Sequence, residues 1–151
     1  MSLALDTDVL IAWLVRSVPR HAEARAVVEA ELRRDGGRIA IAPQVCWEFL
    51  HVVTDDRRFE RPCSMDEAMA LVRAVWNARE TERLPPAAEL VPRVLDLLRE
   101  HRLGRKRILD TALAAALEAG GVRRLATYNV RDFQCFAFLE PASPAADPAG
   151  G

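Results

Sequence analysis

Four acidic residues fall where one pocket can collect them: Asp6, Glu48, Asp110 and Asp132. Asp6 ends the short apolar run Leu3-Ala4-Leu5, and an apolar helical pattern starts almost at once at Val9. In open α/β sheets ligands bind outside the carboxyl ends of the strands, so a carboxylate at such a tip is aimed at the binding crevice. Glu48 stands about a turn into a helix opened by Pro43, off the apolar stripe of Val45, Phe49, Val52 and Val53. Asp110 lies in the first turn of a later helix, where the helix dipole favours an ionised carboxylate by roughly 0.3–1 kcal/mol. Asp132 follows the fourth expected strand. Carboxylates gathered in a cleft raise one another's pKa values unless a cation offsets them. Oxygen ligands with no His or Cys among them select Mg²⁺ or Mn²⁺ over zinc. Mg²⁺ keeps several waters, so Asp6 and Asp110 are the expected direct ligands, with Glu48 and Asp132 nearer a second ion or its waters. Such an ion generates a hydroxide nucleophile and neutralises charge on a phosphodiester; two ions clamp the attacking and leaving oxygens.

The elements that must position these groups follow from apolar periodicity. Strands are expected at 3–6, 38–42, 81–84, 123–127 and 136–139, with a turn at 129–132. Helices are expected at 8–15, about 20–34, from 43 onward, 64–77, about 88–101, and after a basic connector at 102–107. Asp35-Gly36-Gly37 stops the second helix, and Ser64 with Glu67 forms a capping box for the fourth. In the helix carrying Asp110, Leu109, Ala112, Leu113 and Ala116 are the expected inward face. Strands alternating with helices imply an α/β fold, a three-layer α/β/α domain around a mainly parallel sheet of four or five strands. Right-handed crossovers bring the strand ends to one edge, which lets acids distant in sequence converge. One domain spans residues 1–141, and the Pro/Ala/Gly-rich residues 142–151 are expected to form a disordered tail.

Composition narrows the function classes. Half of the 151 residues are hydrophobic and 28% charged, enough for a core without disulfides. The net charge of −1 means that nucleic-acid contact has to come from a local basic patch. Arg105, Lys106 and Arg107, just before Asp110, are the candidate phosphate contacts. Cys46, Cys63 and Cys135 are odd in number and lack metal-ligand spacing, which points to reduced thiols in the cytoplasm. No basic n-region with an apolar stretch opens the chain, and no apolar run approaches the roughly 20 residues of a membrane span, so no membrane role is expected. The tryptophans Trp13, Trp47 and Trp76 are expected in the core or at an interface.

Four segments together resemble the acidic motifs of PIN-domain nucleases, and more narrowly VapC-type toxins of bacterial toxin–antitoxin pairs. They are Leu5-Asp6-Thr7-Asp8-Val9-Leu10-Ile11, Trp47-Glu48-Phe49, Leu109-Asp110-Thr111-Ala112-Leu113-Ala114-Ala115 and Thr127-Tyr128-Asn129-Val130-Arg131-Asp132-Phe133. The resemblance runs from Leu3 to Pro141 and implies a PIN-like fold and a Mg²⁺-dependent endoribonuclease neutralised by a cognate antitoxin, with a homodimer as its usual assembly. It carries the metal aspartates onto Asp6 and Asp110, the helix glutamate onto Glu48 and the last acid onto Asp132. Some members place that last acid where Asn129 stands, which leaves Asn129 and Asp132 as alternatives. Asp8 stands where the family often has Asn and adds a carboxylate. Thr7, Thr111 and Thr127 are expected to orient carboxylates or water.

Each acid also has an ordinary structural use: Asp6 as a helix cap, Asp110 as a dipole partner, Glu48 as a solvated helix residue, Asp132 as a turn former. Two other functions compete. Asp6-Thr7-Asp8 partly fits the D-x-D motif of haloacid-dehalogenase-like phosphatases, with Asp6 as nucleophile and Lys106 as the lysine, but no adjacent acidic pair follows Lys106. The other is a PIN-like module that binds RNA or protein without cutting, against which stand four filled acidic positions.

Overall fold

A computed structural model describes residues 1–145; residues 146–151, most of the expected tail, lie outside the described residues. Its strands are β1 (Leu3–Leu5), β2 (Ile39–Ile41), β3 (Thr81–Arg83), β4 (Arg124–Ala126) and β5 (Glu140–Ala142). Its helices are α1 (Thr7–Leu14), α2 (His21–Arg33), α3 (Pro43–Val53), α4 (Met65–Asn77), α5 (Leu90–Glu100), α6 (Ile108–Ala119) and α7 (Val130–Phe133), with a 3₁₀ turn at Arg105–Arg107. Among the described residues these strands form one five-stranded sheet in the order β3-β2-β1-β4-β5, every pairing parallel. This is the α/β/α arrangement expected from the alternation of elements.

β1, at the centre, is buried along its whole length, and so is β2. Strands covered on both faces read as continuous apolar runs rather than alternating ones. Leu5, Ile39, Ile41 and Leu125 of the sheet meet Val9 and Leu10 of α1, Phe49 of α3 and Leu117 of α6, all but fully buried. Each such side chain contributes roughly 1.5–3 kcal/mol by leaving water. The chain builds outward from β1 through β2 to β3, then returns to the other side of β1 for β4 and β5. The order therefore reverses between β1 and β4, and the crevice at such a switch point is where this class of sheet binds ligands.

Local chemistry explains the breaks. The Ser64 hydroxyl accepts from the Glu67 N–H at 3.1 Å and the Glu67 carboxylate accepts from the Ser64 N–H at 3.4 Å, so the expected capping box is complete. After α2, Gly36 turns through φ +71, and at Gly37 a Cβ would sit 1.8 Å from the Glu31 carbonyl oxygen, so only glycine lets the chain double back there. Glu31 itself is a buried tie between layers. Its carboxylate accepts from both Arg124 guanidinium nitrogens at 3.0 and 2.8 Å and from Arg34 at 3.1 Å, with 3% of the side chain exposed. Glu31→Ala leaves two arginines without their counter-charge and is expected to cost about 2 kcal/mol, read as a lower urea midpoint with an unchanged slope.

Three sequence expectations need correction. The last strand is not 136–139 but Glu140–Ala142, so β5 includes Ala142 at the start of the expected tail. Phe136 and Leu139 are buried core residues delivered from turns, and the Pro141 nitrogen faces away from β4, which an edge strand permits. The expected turn at 129–132 is largely the short helix α7. Leu109 is 66% exposed instead of inward, because α6 turns Thr111 and Leu113–Leu117 into the core and leaves its first turn, Ile108 included, open to solvent. Trp13 and Trp76 pack half-buried on the core, whereas Trp47 is 64% exposed beside an apolar groove of about 520 Å³ shared with Leu50, Met69 and Trp76. The three cysteines are free, as expected. No described helix is long and apolar enough to cross a membrane.

Candidate active site

Asp6 follows the last residue of β1 and caps α1, so one residue ends a strand and starts a helix. Its backbone N–H donates to the Ala126 carbonyl at the end of β4, 3.0 Å away, which places it in the switch-point crevice. The side chain is 7% exposed and held from two sides. Oδ1 accepts from the Thr7 N–H at 2.8 Å, and Oδ2 accepts from the Thr127 hydroxyl at 2.7 Å. These donors favour the anion, but burial outweighs them and the nearby charge of Asp132 adds to it, so the Asp6 carboxyl is held above the ordinary range.

Around Asp6 the other acids come from four helices, α1, α3, α6 and α7. Glu48, half-buried on α3, accepts from the Thr7 hydroxyl at 3.1 Å. Asp110, in the first turn of α6, is pushed up to about 6, by burial first, then by Asp6 and Asp132, and slightly by Glu48. Asp8, in the first turn of α1, is pushed up to about 7 by burial, by Asp6 and, more weakly, by Asp110. Asp6 therefore has acidic neighbours contributed by α1, α3, α6 and α7. Asp6, Glu48, Asp110 and Asp132 are thus brought together, while the Asn129 amide is turned instead toward Asp8 Oδ2, 3.5 Å away.

Two expected roles change. Arg107 is not free for phosphate contact. Its guanidinium turns inward, donates to the Asp132 backbone carbonyl and lies 3.9 Å from Asp132 Oδ1. It is a built-in cation beside the acids, and it lowers the Asp110 pKa against the other influences. An arginine three residues ahead of Asp110, one turn away, was the only trace of this in the sequence. Thr111 orients no carboxylate, because its hydroxyl donates to the Arg107 carbonyl at 2.7 Å, within its own helix. Arg105 and Lys106 remain exposed on the 3₁₀ turn.

Whether these residues suit a divalent cation follows from the donor set. All are hard oxygens, and Arg107 is the one cation turned toward them among the described residues; burial first, and the neighbouring carboxylates after it, hold the Asp6 and Asp110 carboxyls above their ordinary range. Among the described residues no three His, Cys, Asp or Glu side chains form a ready-made cage. Mg²⁺ ordinarily takes only one or two carboxylates directly and keeps water for the rest of its shell.

The raised carboxyls set a pH dependence. Folding favours their protonated form, so the stability they contribute is fully present below about pH 4 and is lost as pH rises through about 6 for Asp110 and about 7 for Asp8. Glu31, held below its ordinary value by Arg124, is ionised throughout that window and adds no slope. Without divalent ions the melting temperature is expected to fall by several degrees between pH 5 and pH 8. A calorimetric series in EDTA that stays flat or rises contradicts the clustered geometry.

Comparison with known proteins fits this architecture. Ribonuclease VapC24 of Mycobacterium tuberculosis is 29% identical over 143 residues, covering 94% of this chain and 96% of that one. The structure of VapBC2 from Rickettsia felis, bound to a DNA fragment from its promoter, superposes with a TM-score of 0.67 at 15% identity, over 95% of this chain and 98% of that chain. A toxin–antitoxin complex from Klebsiella pneumoniae does so with a TM-score of 0.65 at 17% identity, over 96% and 99%. The model of the PIN domain family matches residues 3–139, nearly the full length, and the chain belongs to that family.

Proposed function

We propose that this protein is a divalent-metal-dependent endoribonuclease, using Mg²⁺ or Mn²⁺, and the toxin of a VapBC-like toxin–antitoxin pair acting in the cytoplasm. The observation that carries the reading is that Asp6, at the β1/β4 switch point, has acidic neighbours from three helices: Asp110 and Asp132, whose charges act on one another's surroundings, and Glu48, tied to the same helix start through the Thr7 hydroxyl. Asp6 and Asp110 would hold the ion, with Glu48 and Asp132 acting on its waters. The bound cation supplies Lewis acidity toward a phosphodiester and a nucleophilic water.

The chain's own groups do the rest. Thr127 and the Thr7 N–H fix the direction of the Asp6 lone pairs, and the Thr7 hydroxyl ties Glu48 to the same helix start. Arg107 holds α7, and so Asp132, against the base of α6. The exposed Arg105 and Lys106 give an RNA backbone its counter-charge next to the acids. Hydrolysis then joins the water oxygen to phosphorus and breaks one phosphorus–oxygen ester bond, the departing oxygen taking up a proton. The names of the relatives, a ribonuclease and toxin–antitoxin complexes, support RNA as substrate and a cognate antitoxin as partner; a homodimer accords with the family resemblance.

The test uses the purified chain, an RNA of defined sequence and p-nitrophenyl phosphate. Internal RNA cleavage that requires Mg²⁺ or Mn²⁺, stops with EDTA and is blocked by the co-expressed antitoxin bears out the reading. Phosphate release from the monoester with Asp6 phosphorylated would instead select the phosphatase alternative. RNA binding without cleavage at any divalent ion would select the non-catalytic module.

A further inference from the structure

Asp8 is set apart from the other acids by what it touches. Its Oδ2 accepts the Tyr128 backbone N–H at 3.1 Å and faces the Asn129 amide nitrogen at 3.5 Å, both in the loop between β4 and α7. The same loop carries the Thr127 hydroxyl. That hydroxyl has one hydrogen, which it gives to Asp6 Oδ2 at 2.7 Å, and its oxygen accepts the Asn129 N–H at 3.0 Å. Its direction is therefore set by the position of the Asn129 N–H, which depends on the Tyr128 peptide held by Asp8. The Tyr128 ring is restrained as well, with the Arg20 guanidinium 4.2 Å from its centre. The second Asp8 oxygen, Oδ1, is buried with no protein partner. The contacts to the loop thus use one acceptor oxygen and make no use of the negative charge, which is already in excess beside Asp6 and Asp110.

We propose that Asp8 is a positioning residue: it acts as a hydrogen-bond acceptor that pins the Tyr128–Asn129 loop and thereby aims the Thr127 hydroxyl at Asp6. The proposal rests on the nuclease reading for its consequence in activity, but the latch is a property of the protein alone. An asparagine at this position keeps the acceptor and discards the charge; an alanine discards both.

The experiment compares Asp8→Ala and Asp8→Asn with wild type in single-turnover RNA cleavage, thermal unfolding and backbone amide exchange by NMR. Asp8→Ala is expected to lower the cleavage rate about 10–100-fold, the usual cost of losing a group that orients an active-site carboxylate. Its Tyr128 and Asn129 amides should exchange at least about tenfold faster, while the melting temperature holds or rises. Asp8→Asn should restore both the cleavage rate and the slow Tyr128 exchange. Cleavage in Asp8→Asn as low as in Asp8→Ala would overturn the proposal, since the charge itself would then be required. Wild-type cleavage or unchanged amide exchange in Asp8→Ala would overturn it too. Should wild type cut no RNA with Mg²⁺ or Mn²⁺, the nuclease reading fails, and the exchange rates alone decide for or against the latch.

Discussion

Asp6→Asn is expected to remove RNA cleavage while leaving a protein that melts at the same temperature as wild type or higher. The two halves have one cause. Asp6 is 7% exposed at the strand tip, and the folded protein holds a carboxylate there against its desolvation and against Asp132. An amide of the same shape keeps one oxygen to accept from the Thr7 N–H, its NH2 can donate to the Thr127 hydroxyl oxygen where the carboxylate accepted from it, and asparagine is as good a helix cap as aspartate, so local structure is kept. The negative charge for the ion and for the reaction is lost. A deficit of about 4 kcal/mol in transition-state stabilisation, reasonable for a lost metal ligand, is about a thousandfold in rate. Cleavage should therefore fall by about that factor, with the melting temperature unchanged or raised by relief of like-charge repulsion. Equal cleavage by Asp6→Asn and wild type removes Asp6 from the chemistry. Lost cleavage together with a markedly lower melting temperature makes Asp6 a structural cap and no more.

The second large effect is on stability, and it needs no substrate. An ion that binds the native cluster and not the unfolded chain stabilises by about 2.7 kcal/mol when present at a hundred times its dissociation constant. For a chain of this size that raises the melting temperature by roughly 5–10 °C. Wild type titrated with MgCl₂ or MnCl₂ should show this rise, measured against NaCl at matched ionic strength so that simple screening is subtracted. Asp6→Asn combined with Asp110→Asn should show none. The rise should be larger at pH 8 than at pH 5, because the Asp110 carboxyl, pushed up to about 6, is mostly protonated at the lower pH and cannot serve as a ligand. A melting temperature that ignores both cations up to high concentration counts against metal binding whatever the cleavage assays show.

Much of the fold was legible because the signals were local. A three-residue apolar strand ending on Asp6, a proline at the first position of α3, and Ser64 three residues before Glu67 each state their structure within a few residues. The misplaced final strand shows where this fails. Phe136 and Leu139 are apolar because they fill the core from turns, and Glu140-Pro141-Ala142 forms β5 because an edge strand needs only one bonded side. Hydrophobicity reported burial there, while pairing was decided by β4, some fifteen residues earlier.

The sequence by itself determined which residues could do chemistry: its acids stand at strand tips and helix starts, and the alternation of strand and helix sends those tips to one edge. Only the tertiary structure decided how each group is used. It turned Arg107 inward onto Asp132, spent the Thr111 hydroxyl on its own helix, gave the Thr127 hydroxyl to Asp6, and set Asp8 against the Tyr128 peptide. The reason is physical. A residue's type and its neighbours in the chain fix its capacity to donate, accept or carry charge. The partner that meets that capacity, and the burial that shifts its pKa, come from elsewhere in the fold: 121 residues away for Asp6 and Thr127, 120 for Asp8 and Tyr128, 25 for Arg107 and Asp132.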